Sequence, residues 1–382
     1  MERSALYQMI WRWHFYAGLF VIPMVLILAA TGGMYLFKPQ VERWEERSYQ
    51  GLSQGGGASP SLQRDAALEA FPGSGFKYYR LPEQPGDAAM VHLVLADGSS
   101  MRDVFVSPQG EVLGAIDPDA RIMAFIHEIH GSLLLGRQGS WLVELAASWA
   151  IVMIATGLYL WWPRTGGLAG VLWPRLGRRG RPLWRDLHAV TGFWVSAFAL
   201  VLLVTGLPWA GVWGEGLGMV RAQMGWVKGD AGWSTGAEPA PGGEHAMHMM
   251  HDHTHMAAID TPDAPAAMLD TLVEKAAAEK LAFPVVVSPP GGAVRPGLPP
   301  DPDWTVRSDA QNRPQRITIH YDGMTGEEIK REGFGQKHAI DRVVAYGIAW
   351  HEGQLFGLAN QLIGLATALA LVLLSISGFV LW

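Results

Sequence analysis

Four histidines carry the chemistry in this chain. His14 is followed by Gly18 and then Thr31-Gly32, and His188 by Gly192 and then Thr205-Gly206, at the same offsets. His130 leads to Leu135-Gly136 and Thr156-Gly157, and His351 leads to Phe356-Gly357 and Ser377-Gly378, again in register. An imidazole near lipid hydrogen-bonds between helices, relays protons or binds metal. The symmetric pairing favours metal. Two imidazoles facing one another suit six-coordinate haem iron, whose axial ligands lie on opposite faces of the ring. A zinc or copper site would need three or four converging ligands, and each pair offers two. The expected pairs are His14 with His188 and His130 with His351. Gly32, Gly157, Gly206 and Gly378 would let a flat macrocycle approach the backbone, although small residues also serve plain helix packing in lipid. His127, one turn before His130, is the alternative ligand; Ile348 occupies its place in the second half.

The elements that must position these residues follow from composition. Of 382 residues, 49% are hydrophobic and 17% charged, with 17 Trp. The apolar residues gather in four blocks, 15–37, 141–162, 193–213 and 355–382, each near the ~20 residues that a helix needs to cross a ~30 Å hydrocarbon layer. The first block is long and interrupted by Pro23, which reads as a retained anchor rather than a cleaved leader. Between the second and third blocks lie Arg164, Arg175, Arg178, Arg179, Arg181 and Arg185, with no acid before Asp186. This places that loop and both termini in the cytoplasm. Trp11, Trp13, Trp161, Trp162, Trp184 and Trp382 then fall near the inner interface, where amphipathic rings prefer to sit.

The expected fold is a membrane all-α four-helix bundle with two periplasmic α+β units, duplicated in parallel about a pseudo-twofold axis along the membrane normal. The first transmembrane helix takes 1–37, the first α+β unit 38–126, and a short periplasmic helix with the second span 127–162. The Arg-rich loop takes 163–187, the third span 188–213, the second α+β unit 214–345 and the fourth span 346–382. Helices are expected over 61–71 and 265–281. Alternating patterns predict strands at 90–95, 101–106, 304–307 and 316–321, with turns at Pro108-Gln109-Gly110 and Asp322-Gly323. His14 and His188 form an inner pair and His130 and His351 an outer pair. An unbroken helix from His130 to Thr156 would span ~40 Å, against ~27 Å from His14 to Gly32. A break at 136–139 would bring His130 down to the level of the third and first spans' outer ends.

Other features are weaker. The net charge of −6 says little about partners, and the absence of cysteine excludes disulfides, iron–sulfur clusters and thiolate chemistry. His245, His248, His251, His253 and His255 alternate with methionines in the loop 244–256, a donor set for soft or borderline metals or else a solvated excursion. A substrate cleft between the two units would lie near Trp209, Trp213, Arg307, Arg313 and Arg316. No Gly-x-Gly-x-x-Gly follows a strand, so any electron donor is a separate molecule, and nothing points to nucleic acid.

Several runs resemble the PepSY-associated transmembrane family of iron-regulated bacterial membrane proteins. They are Trp13-His14 with Gly18, residues 129–136 (IHGSLLLG), residues 156–163 (TGLYLWWP), Asp186-Leu187-His188, and His351 with Phe356-Gly357. Length and layout look most like the FoxB-type siderophore reductases. The resemblance implies PepSY-like external units and an inner-membrane protein with two haem b groups that reduces a ferric siderophore in the periplasm. Electrons would come from a separate cytoplasmic reductase or membrane quinol. Two other readings stay open: a non-enzymatic sensor or assembly protein, and a metal or haem transporter.

Overall fold

Where helices carry large apolar residues outward and small ones inward, lipid rather than water is the surrounding solvent. Four helices of this chain do so. The computed structural model describes residues 5–53, 57–163, 168–226, 266–292 and 301–382. The long apolar helices are α1 (Ala5–Tyr35), α5 (Gly136–Trp161), α6 (Arg181–Gly206) and the last helix, α10 (Leu358–Leu381), all long and apolar enough to cross a membrane. Tyr16, Phe20, Trp149, Trp194, Phe198, Leu362 and Leu369 are exposed on their outer surfaces. Inside lie Ala29, Thr31, Gly139, Ala146, Ser196, Ala199, Thr367 and Ser377. α1 packs on α5 and α10, and α6 packs on the same two.

Each long helix that descends from the rest of the protein is preceded by a short one. α4 (Ile122–Ser132) comes before α5 and lies against α1, and α9 (Ala339–His351) comes before α10 and lies against α6. The first break is built from Leu133 and Leu134, both in the left-handed region at φ 54° and 60°, and Gly136 at 55°. Non-glycine residues resist that region by ~1–2 kcal/mol each, so neighbouring packing must hold them there. Gly139 makes this fit possible, since a Cβ there would fall on the Ser132 carbonyl oxygen. The break thus begins three residues before the expected 136–139. In the second half it runs through Gly353 (φ 75°) and Gly357 (φ 57°).

The remaining elements form one antiparallel sheet on the side where α1 ends. After α2 (Lys38–Glu45) and α3 (Pro60–Ala70) come β1 (Gly75–Arg80), β2 (Ala89–Val94), β3 (Met101–Val106) and β4 (Val112–Ile116). After α7 (Gly211–Gln223) and α8 (Ala266–Glu279) come β5 (Val285–Ser288), β6 (Trp304–Ser308), β7 (Ile317–Tyr321) and β8 (Glu328–Gly333). The strand order is β4-β3-β2-β1-β5-β6-β7-β8. β1 and β5 pair antiparallel through Tyr79 with Val287 and Arg80 with Val286. The two expected units are therefore one sheet, because each would otherwise expose an unpaired apolar edge. Of the arginines named for a cleft between them, Arg307 holds Asp309 at 2.9 Å, and Arg316 donates to the Ala310 carbonyl at 2.7 Å.

α3 and α8 cover one face of the sheet, over Val91, Val104, Val287, Val306, Ile319 and the fully buried Trp304. The Asp270 carboxylate accepts from the Ser61 amide at 2.7 Å and its hydroxyl at 2.8 Å, tying the two helices. The helices expected over 61–71 and 265–281 and the four expected strands are present within about two residues. β1, β4, β5 and β8 were not anticipated. β8 carries Glu328, Lys330, Arg331 and Glu332 along an outer edge, where charge discourages further pairing and hides the alternation.

Candidate functional site

The four histidines meet in two pairs. His14 and His188 face each other with ring centroids 6.5 Å apart and planes at 83°. His130 and His351 do the same at 6.3 Å and 70°. His14 and His188 lie inside α1 and α6, at the ends far from the sheet. His130 and His351 lie on the last turns of α4 and α9, near the sheet. The folded-back breaks bring them to the heights of Thr31 and Thr205. Those residues are ~26 Å along their helices from His14 and His188 at 1.5 Å per residue.

Each imidazole is held through Nδ1 by a hydroxyl of a neighbouring helix. His14 meets Thr156 at 2.9 Å, His130 meets Thr31 at 3.0 Å, His188 meets Ser377 at 3.1 Å and His351 meets Thr205 at 3.4 Å. The hydroxyls have already given away their proton. Thr156 donates to the Val152 carbonyl at 2.8 Å, Thr31 to Ile27 at 2.7 Å, Thr205 to Val201 at 2.7 Å and Ser377 to Leu374 at 3.0 Å. A hydroxyl has one proton to give, so each oxygen accepts from an imidazole Nδ1–H. In the second half the Leu374 and Leu202 carbonyls also accept from His188 and His351, at 3.2 and 2.9 Å. A carbonyl can only accept, which fixes the same tautomer. In all four rings Nε2 keeps its lone pair.

The glycines beside these hydroxyls serve the rings themselves. A Cβ on Gly32 would stand 3.0 Å from His130 Cε1, and one on Gly157 3.1 Å from His14 Cε1. On Gly206 it would stand 3.1 Å from His351, and on Gly378 3.4 Å from His188. What stands over each of these four glycines is an imidazole. Each Thr/Ser-Gly step is a socket for a histidine from another helix of its own half, a long one for His14 and His188 and a short one for His130 and His351.

This arrangement can put two nitrogen donors on one metal from opposite sides. With metal–nitrogen bonds of ~2.0–2.1 Å and ~1.2 Å from nitrogen to ring centre, opposed ligands have centroids ~6.4 Å apart. The separations of 6.5 and 6.3 Å meet that condition. His14 with His188, and His130 with His351, are thus spaced so that each pair could hold one metal, free or within a cofactor, between them. His127 lies instead against the Tyr35 ring, 5.5 Å centroid to centroid. The histidines of 244–256 and Arg164 lie outside the described residues.

The surroundings differ by level. Near the sheet the Trp209 ring is 5.7 Å from His351, and the Arg313 guanidinium lies 5.8 Å over Trp209 and 3.7 Å from Glu352. Arg121, the residue that precedes α4, reaches Asp103 and Glu46, both at 2.9 Å. Asp103 also accepts from His92 at 2.8 Å. Burial alone would raise the Asp103 carboxyl, but His92 and Arg121 together hold it down at about 2. At the far end, Arg175 grips the fully buried Asp186 through two bonds of 2.6 and 2.7 Å, fixing the basic loop two residues before His188. Sequence reasoning missed a further cluster of Asp301, Asp303 and His320. The Asp-Pro-Asp run ahead of a strand was its only signal.

The sequence model of the PepSY-associated TM region matches residues 11–382. No curated protein matches the chain. Because the match spans nearly the whole length, the chain belongs to the PepSY-associated TM family.

Proposed function

We propose that this member of the PepSY-associated TM family is a di-haem electron-transfer protein of the bacterial inner membrane, reducing ferric iron held by a siderophore in the periplasm. Membership suggests a membrane protein of the iron-regulated kind. The observation that carries the reading is the pair of opposed imidazoles, each with Nδ1 bonded and Nε2 bare, recurring at two depths. His14 and His188 hold one haem b, and His130 and His351 the other. Haem supplies one-electron chemistry when bound.

The chain's own residues orient and tune. Thr156, Thr31, Ser377 and Thr205 fix the tautomer and make Nε2 the more basic donor. α1, α5, α6 and α10 act as a bundle that keeps water and lipid from the paired rings. The repeated sockets and the strand order running outward from the β1–β5 seam support a parallel duplication. The arginine-rich loop supports cytoplasmic termini and a periplasmic sheet. No nicotinamide or flavin pattern is present, so a cytoplasmic reductase or membrane quinol donates. Reduction of siderophore-bound Fe(III) to Fe(II) takes one electron and no proton, so no general acid or base is required of the chain.

The test is a visible spectrum of the purified protein with a haem assay. Two haem b per chain are expected, with low-spin bands that sharpen with dithionite and reoxidise with a ferric siderophore. A well-folded preparation without haem would overturn the assignment.

A further inference from the structure

The two histidines on the face of the sheet opposite α3 and α8 have opposite fates. His92 in β2 is spent, donating to Asp103, which Arg121 also holds. His320 in β7 makes no such bond. It is 8% exposed, its Nδ1 lies 3.3 Å from Asp301 and 4.0 Å from Asp303, and its buried Nε2 has no hydrogen-bond partner. Cross-strand register places Ser288, Thr305 and His320 in one row on adjacent strands. The hydroxyls of Ser288 and Thr305, 0% and 2% exposed, are also buried without a partner. Buried polar groups are ordinarily satisfied, and a buried imidazole whose Nδ1 stands within 4.0 Å of two carboxylates, next to the unpartnered Thr305 hydroxyl, has the surroundings of a metal ligand.

We propose that Asp301, Asp303 and His320 form a binding site for a divalent first-row cation, with Thr305 adjoining it. Their ligand atoms all lie within 4.8 Å of one another. Two bonds of ~2.1 Å to one ion separate ligand atoms by ~3.0–4.2 Å, which the His320 distances satisfy. One imidazole and two carboxylates are hard to borderline donors that suit Mn(II), Fe(II) or Zn(II), not soft Cu(I). Lys330, opposite His320 in β8, holds Glu332, whose carboxylate approaches His320 Nε2 at 3.8 Å. That leaves Asp301 and Asp303 as the anionic donors. The Asp301 Oδ1 atom accepts from the Asp303 amide at 3.2 Å and so fixes the two carboxylates relative to each other. The site does not depend on the haem reading.

The experiment is an electron paramagnetic resonance titration of the full-length chain in nanodiscs with Mn(II). All five histidines of 245–255 are replaced by Asn, so that run cannot contribute. One Mn(II) per chain is expected, with nitrogen modulation from a single imidazole. His320→Gln should abolish the modulation and, like Asp303→Asn, weaken binding at least tenfold, whereas Glu328→Gln leaves it unchanged. Asp303 is partly exposed, so Asp303→Asn keeps the test valid if His320→Gln does not fold. Absence of Mn(II) binding, or binding unaffected by either variant, would overturn the site. The visible spectrum reads the haem assignment separately in the same samples.

Discussion

The two histidine levels use the same socket but hang it on different supports. Far from the sheet, His14 and His188 are built into the continuous helices α1 and α6, with no contact to the sheet among the described residues' hydrogen bonds at either ring. Near the sheet, His130 and His351 sit on short helices that fold back onto the long ones through strained or glycine-rich breaks. Their placement depends on Gly139, on Arg121 gripping Asp103, and on Trp209 beside His351. One level is rigid because its helices are unbroken. The other is fixed by tertiary contacts that reach into the sheet, so disturbance of the sheet should reach it first.

The largest effect breaks the pairing itself. His14→Ala or His188→Ala should remove one haem and leave the other, and His130→Ala or His351→Ala should do the reverse, with haem content falling from two to one per chain. If His127→Ala removes the sheet-side haem and His130→Ala does not, the pairing at that level is wrong. Next in size, Gly157→Val and Gly32→Val should each evict the histidine from its own socket and deplete a single level. Loss of both haems from either variant would mean that the levels are not independent.

Acid sharpens the difference in support. The Asp103 carboxyl sits at about 2, below its unfolded value of ~3.9, so its contribution is full above pH ~4 and is lost as pH falls toward 2. The shift corresponds to a contribution on the order of 2–3 kcal/mol. Sheet-side haem bands should therefore fail before far-side bands as pH drops below 4, and Asp103→Asn should remove that order of loss. The smallest effects distinguish the halves. Thr156→Val takes away the hydroxyl that His14 uses, and should weaken haem binding by roughly 10–100-fold. Ser377→Ala and Thr205→Val should cost less, because the Leu374 and Leu202 carbonyls still hold Nδ1. Equal losses in both halves would discount the carbonyls.

Much of the site was legible because it repeats. The offsets from His14 to Thr31-Gly32 and from His188 to Thr205-Gly206 marked residues that recur in the sockets, and the fold sets the His14 ring beside His188 and the His130 ring beside His351. What each glycine does was not legible. A small residue is compatible with a macrocycle, a helix or an imidazole above it, and only the position of His130 Cε1 over Gly32 selects among them. The Leu135-Gly136 and Phe356-Gly357 repeats had no assigned role beyond register. In the fold Gly136 and Gly357 take positive φ values where α5 and α10 begin.

The chain's amino acids alone determined the long apolar helices, the basic loop and the histidine pairs, because lipid burial and periodicity act locally along the chain. Tertiary structure decided that the strands close into one sheet, that α4 and α9 fold back, and that hydroxyls leave each Nε2 bare. Those outcomes rest on edge pairing, backbone turns and hydrogen bonds between residues distant in sequence, and no local pattern encodes which partner a group will meet.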